Sequence, residues 1–127
     1  MSQVMVVDDS MFMRKFIKTM LVKMGHTISC EASEGREAVA NYSKFLPDVV
    51  TLDITMPGMN GITALKEMLI INPSAKIILC SAMHSQSLVI QAIKTGACDF
   101  LDKPIQYERL MQAIQHATQQ PCCSCEN

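Results

Sequence analysis

The sequence has no apolar run approaching the roughly 20 residues that a membrane-spanning helix needs, which excludes that architecture. No basic segment leading into an apolar stretch opens it either. Val4, Met5, Val6 and Val7 run directly into Asp8 and Asp9, so there is no export signal to read and a cytoplasmic protein is expected. An excess of one charge sign is also missing. The formal net charge is −1, which argues against nucleic-acid binding driven by bulk charge. Charged residues are only 18% and hydrophobic residues 49%, a balance that excludes intrinsic disorder. Repeats and Pro/Gly-rich linkers are absent, so the 127 residues read as one domain, large enough for a core without staples. The six cysteines do not make a disulfide framework. Cys30, Cys80 and Cys98 lie among apolar neighbours in strand-like segments, where a free thiol acts as a small hydrophobe. Cys122, Cys123 and Cys125 crowd the last six residues, and the Cys122-x-x-Cys125 spacing has no partner pair that would make it a metal or redox site. His26, His84 and His116 have no metal spacing between them.

What is there alternates. Short apolar runs at 3–7, 27–31, 48–52, 76–80 and 98–101 read as strands. Between and after them, 10–24, 35–45, 61–71, 85–95 and 106–118 carry helical spacing. In the first helix Met13, Phe16, Ile17, Met20, Leu21 and Met24 form one inward stripe, and Gly25 is its stop. Ala38, Val39 and Tyr42 face inward in the second helix, and Leu110, Ile114 and Ala117 in the fifth. Asn72-Pro73 and Gly96 end the third and fourth. Five strands alternating with five helices predict an α/β fold, a three-layer sandwich around a parallel sheet with right-handed crossovers. Residues 1–119 form the domain, and 120–127 a Cys-rich tail read as unstructured.

In a parallel sheet all strands end on one edge, where open α/β folds place their ligand sites. The first strand ends in Asp8-Asp9, the third in Asp53 and the fourth in Ser81, and Lys103-Pro104 follows the fifth. Any one of these alone reads as a helix cap or loop residue. Together they put three carboxylates, a hydroxyl and an ammonium on one rim. Three carboxylates repel one another, and a hard cation such as Mg²⁺ relieves that repulsion. A carboxylate so placed is a nucleophile toward phosphorus, with the cation, ammonium and hydroxyl available to the three phosphoryl oxygens.

The segments Val6-Val7-Asp8-Asp9-Ser10, Leu52-Asp53-Ile54-Thr55-Met56-Pro57-Gly58-Met59-Asn60-Gly61, Cys80-Ser81-Ala82 and Asp102-Lys103-Pro104 resemble the signature of response-regulator receiver domains over about residues 3–118. Phe12-Met13-Arg14 and Cys80-Ser81-Ala82-Met83 are most similar to stand-alone chemotaxis receivers of the CheY type. The resemblance implies the flavodoxin-like (βα)5 sandwich with strand order 2-1-3-4-5, the order of flavodoxin and CheY. It implies Asp53 as phosphoacceptor and Mg²⁺ held by Asp8, Asp9, Asp53 and the backbone carbonyl of Thr55. Lys103 and Ser81 are then the phosphoryl-binding side chains, Ser81 and Phe100 the switch pair, and Val89, Lys94, Phe100 and Tyr107 the partner surface. Thr55 and Met83 depart from the enteric pattern, and an apolar Met83 cannot orient a water by hydrogen bonding.

The implied function is a single-domain, monomeric signalling protein, not an enzyme. A CheA-like histidine kinase supplies its phosphoryl group. A flagellar motor switch protein receives its signal, and a phosphatase is a third partner. Neither nucleic acid nor membrane takes part. Independently of the resemblance, Leu88, Val89 and Ile90 are consecutive on the fourth helix, so at least one must face away from the sheet. Three alternatives stand beside this. A phosphorelay shuttle or a regulator of another enzyme differs only in its partner. An aspartyl-phosphate phosphatase of the haloacid-dehalogenase class needs a second acid where Thr55 stands. A flavin site needs a phosphate loop where Asp8-Asp9-Ser10-Met11 would repel phosphate.

Overall fold

Strands Gln3–Val7 (β1), Thr27–Ala32 (β2), Val49–Asp53 (β3), Ile77–Ser81 (β4) and Asp99–Asp102 (β5) pair in parallel in the order β2-β1-β3-β4-β5. This computed structural model describes residues 2–54, 59–82 and 85–119. Thr55, Met83, His84 and the tail from 120 onward, with its three cysteines, lie outside the described residues. Five helices cover the sheet: α1 (Met11–Lys23), α2 (Gly35–Phe45), α3 (Gly61–Ile71), α4 (Gln86–Thr95) and α5 (Tyr107–Gln119). Strand alternation divides the core. Met5, Val7, Val50, Leu52, Ile77 and Leu79 face α2, α3 and α4. Val4, Val6, Val49, Ile78, Cys80 and Leu101 face α1 and α5. With both faces covered, β3 and β4 are buried throughout and β1 from Val4 onward, rather than buried at alternate positions.

The helices begin where short polar side chains cap them. Ser10, Asn60 and Ser85 each accept a backbone N–H three residues on, from Met13, Thr63 and Leu88. Gly25 and Gly96 take positive φ, 95° and 127°, at the ends of α1 and α4, as their stop role requires. Two expectations shift. Phe16 is 40% exposed, because it sits at the margin of an α1 stripe centred on Ile17, Met20 and Leu21. Strands β3, β4 and β5 each lie one residue later than the apolar run predicts, since the backbone ladder continues through Asp53, Ser81 and Asp102. Ile54 N–H donates to the Cys80 carbonyl at 2.9 Å, and Lys103 N–H to the Ser81 carbonyl at 2.8 Å. Asp53 and Ser81 therefore ride on the last rungs of the sheet rather than on loops.

Gly61 starts α3 directly against β3. A Cβ there would stand 2.5 Å from Ile54 Cα and 2.7 Å from the Asp53 carbonyl oxygen, both backbone atoms that cannot swing aside. Gly61→Ala should therefore lower stability by roughly 1–3 kcal/mol, the usual range for overpacking. A urea titration giving an unchanged midpoint and slope would contradict this tight approach.

Candidate functional site

The strand ends bring Asp8, Asp9, Asp53, Ser81 and Lys103 together. One carboxylate oxygen from each of Asp8, Asp9 and Asp53 lies within 4.8 Å of the others. Asp8 is 1% exposed, Asp53 2% and Ser81 0%, whereas Asp9 is exposed at the rim. Asp8 is the anchored member. Its Oδ1 accepts the Ser10 N–H at 2.9 Å, its Oδ2 accepts Lys103 Nζ at 2.6 Å, and its carbonyl accepts Arg14 Nη1 at 2.6 Å. Lys103 Nζ also lies 3.5 Å from Asp53 Oδ1, so one ammonium serves two buried carboxylates. It reaches them from beyond β5, where the Lys103–Pro104 peptide is cis.

Burial pulls the Lys103 ammonium toward neutrality. The Asp8 hydrogen bond and the charges of Asp53 and Asp8 outweigh that pull and hold its pKa above the ordinary 10.5. Beneath it the Cys80 thiol is fully buried and pushed up to about 12, first by burial and then by Asp53 and Asp8 against the opposing Lys103. It is a protonated, inert packing group, as a cysteine in an apolar strand should be. Cys30 and Cys98 are half-buried, and neither forms a disulfide.

Ser81 and Phe100 share the α3/α4 face on adjacent strands, with Ser81 opposite Asp102 and Leu79 opposite Phe100. Phe100 is 8% exposed and packed in the core, so its ring is not a surface contact as it stands. Lys94 is exposed, Tyr107 half-exposed, and Val89 half-buried against the core. The apolar residues that α4 does expose are Ile90 at 50% and Ile93 at 44%, one helical step of three apart. The consecutive triplet of branched residues signalled an exposed one without saying which. Arg14 joins the site without having been assigned a role there from the sequence, where it stands only in the Phe12-Met13-Arg14 run and off the apolar stripe of α1.

The family model for the response regulator receiver domain matches residues 4–115. The chain belongs to the response regulator receiver domain family. It is 53% identical over 112 residues to the chemotaxis protein CheY of Thermotoga maritima, which covers 88% of this chain and 93% of that protein. It is equally similar, over the same shares, to CheY of Bacillus subtilis. Among solved structures it resembles a Borrelia burgdorferi CheX–CheY complex with BeF3 and Mg²⁺, at a TM-score of 0.87 and 36% identity over 89% of this chain and 86% of that one. The observed strand order is that of the family's flavodoxin-like fold. CheY-type receivers are signalling proteins, receiver domains are phosphorylated on aspartate, and they bind Mg²⁺ at an acidic pocket. The donor set here fits that ion, since three hard carboxylate oxygens converge with a single neighbouring ammonium. No helix among the described residues is long and apolar enough to cross a membrane.

Removing the ammonium would take the opposing charge away from two buried carboxylates. Lys103→Met should cost roughly 3 kcal/mol of stability near neutral pH in chelator. Because the folded pKa of Lys103 is raised, its contribution is complete below 10.5 and is lost as pH rises through the folded value. The gap between wild type and variant should be constant from pH 7 to 9 and close only above 10.5. Urea titrations across that range check both statements, and a gap that closes by pH 9 would refute the assignment.

Proposed function

We propose that this receiver accepts a phosphoryl group on Asp53 and signals by phosphorylation-dependent protein binding in chemotaxis. The observation that carries the reading is Asp53 itself, a 2%-exposed carboxylate fixed on the last rung of the central strand, between two acids and a lysine. One Asp53 oxygen attacks the phosphorus of a kinase phosphohistidine or of acetyl phosphate. The P–N or P–O bond breaks, and imidazole or acetate leaves. Lys103 donates to one phosphoryl oxygen and Ser81 to another. Asp9 and Asp53, with the Thr55 carbonyl, would hold Mg²⁺ directly, and Asp8 would act on it through water. The bound ion supplies the positive charge that the crowded carboxylates and the phosphoryl oxygens need.

The phosphoryl group, carrying about −1.5 to −2 in place of the carboxylate's −1, draws in the Ser81 hydroxyl and repacks the loop beside Phe100 and α4. A CheA-like kinase is the donor. A flagellar motor switch segment is the recipient, a phosphatase ends the signal, and the receiver acts as a monomer without nucleic acid or membrane. The 53% identity to two CheY proteins supports the pathway. The apolar pair Ile90 and Ile93, exposed on the same helix as Lys94, supports α4 as the docking face. It takes over the contact first expected of Val89 and Phe100.

Incubation with acetyl phosphate and Mg²⁺, followed by mapping of the adduct, should label Asp53 alone and leave Asp53→Ala unlabelled. Labelling of Asp53→Ala at the wild-type level would overturn the proposal. Ser81→Ala should still be labelled but should blunt the gain in affinity for a motor-switch N-terminal peptide on adding beryllofluoride. Ile90→Asp should weaken that binding with and without the mimic, because the contact would desolvate a charge. A wild-type affinity indifferent to the mimic would refute the switch, and wild-type behaviour of Ile90→Asp would refute the docking face.

A further inference from the structure

We infer that Arg14 is a positioning residue for the cation site, holding the Asp8–Asp9 turn on aim, and that Glu31 of the edge strand β2 in turn holds Arg14. This rests on the proposed reading that Asp8, Asp9 and Asp53 take Mg²⁺. The Arg14 side chain is 15% exposed and makes two contacts from one planar group. Its Nη1 donates to the Asp8 carbonyl at 2.6 Å, and its Nε donates to Glu31 Oε1 at 3.0 Å. A guanidinium fork fixes both directions at once, which a point charge on a flexible stem does not. The other Glu31 oxygen takes Lys18 Nζ at 2.7 Å. Lys18 first, then Arg14, hold the Glu31 carboxyl below the usual range against the effect of burial, so Glu31 remains an anion.

The Asp8 carbonyl belongs to the peptide plane that joins Asp8 to Asp9, so turning that carbonyl turns Asp9. The Asp8 carboxylate is already pinned by Ser10 and Lys103, and the Asp8 N–H by the Ala32 carbonyl at 3.1 Å. Arg14 fixes the one remaining direction, the direction that leads to the exposed ligand. Glu31 has a second effect. A guanidinium one side chain away from three carboxylates is a rival for the cation, and its ion pair with Glu31 keeps it on the outer side of the turn.

Mg²⁺ is titrated into the full chain by calorimetry and by amide chemical shifts, with urea unfolding to establish that each variant is folded under the conditions used. Arg14→Gln should bind Mg²⁺ roughly tenfold more weakly, the lower end of what loss of an outer-shell partner costs. Glu31→Gln should lose affinity in the same direction but by less. Where Arg14→Gln does not fold, Glu31→Gln carries the test by itself. The double variant should be no weaker than Arg14→Gln, because Glu31 acts only through Arg14. Wild-type affinity in both single variants overturns the inference, as do losses that add in the double variant. Asp9→Asn separates the two readings. A wild type whose Mg²⁺ signal is absent, or survives Asp9→Asn intact, overturns the metal site and this inference together. Wild-type binding that Asp9→Asn removes but Arg14→Gln and Glu31→Gln spare overturns the positioning role alone.

Discussion

The constraint on which the rest depends is the crowding of three carboxylates within 4.8 Å of one another. At an effective dielectric of about 20, each such pair repels by roughly 3 kcal/mol or more. The fold does not relax this repulsion by spreading the acids apart. It assigns them unequal surroundings. Asp8 is buried and saturated by Ser10, Lys103 and Arg14. Asp53 is buried and shares the same lysine, while Asp9 is left at the rim. One ammonium against three carboxylates leaves a local excess of negative charge, which is the driving force for taking up a divalent cation. The stabilising scaffold and the reactive site are therefore in tension by construction.

That tension is tolerable because the acids sit on the stiffest part of the molecule. Val4 to Val7 of β1 and all of β3 and β4 are essentially inaccessible, with side chains packed against helices on both faces. Moving Asp53 away from its neighbours would break the rung between Ile54 and Cys80 and drive the end of β3 against Gly61 at the start of α3, where there is already no room for a Cβ. Packing and backbone hydrogen bonds thus hold together charges that a loop would let separate.

Much of this was legible in one dimension. Runs of Val and Ile alternating with helical stripes dictate a parallel α/β sheet, and the acids at strand ends then share an edge without further information. The strand ends were misplaced by one residue for a physical reason. Asp53, Ser81 and Asp102 are polar and so read as loop, yet the ladder depends on backbone groups and not on side-chain polarity. Phe16 and the split between Val89 and Ile90 turn on a few tens of degrees around a helix, finer than hydrophobic spacing resolves. The Arg14–Glu31 pair was out of reach altogether. It depends on the register of β2 against β1, where an irregularity between Val4 and Met5 passes over Ser29. No local pattern announces that slip.

The same ladder that fixes the site also supplies its route outward. Lys103 is bonded to Asp8 at 2.6 Å and stands 3.5 Å from Asp53, so its ammonium is unequally shared. In the proposed reaction Asp53 gains about one unit of negative charge, carried further from the strand, and the balance of that sharing moves toward it. Lys103 cannot follow alone, because its N–H is bonded to the Ser81 carbonyl. Ser81 and Phe100 lie on the same face of the paired strands β4 and β5, under α4. In the proposed switch, a shift in the lysine is passed to the hydroxyl, the ring and the helix through one hydrogen-bonded strand pair. It biases α4 only by the difference in bonding energy between the two arrangements. Two or three charge-assisted hydrogen bonds, at roughly 1.5–3 kcal/mol each, total about 3–9 kcal/mol, a range that brackets the ~5.5 kcal/mol that inverts a 1:99 equilibrium. The site therefore needs no large motion to signal, only a second arrangement of α4 within a few kcal/mol of the first.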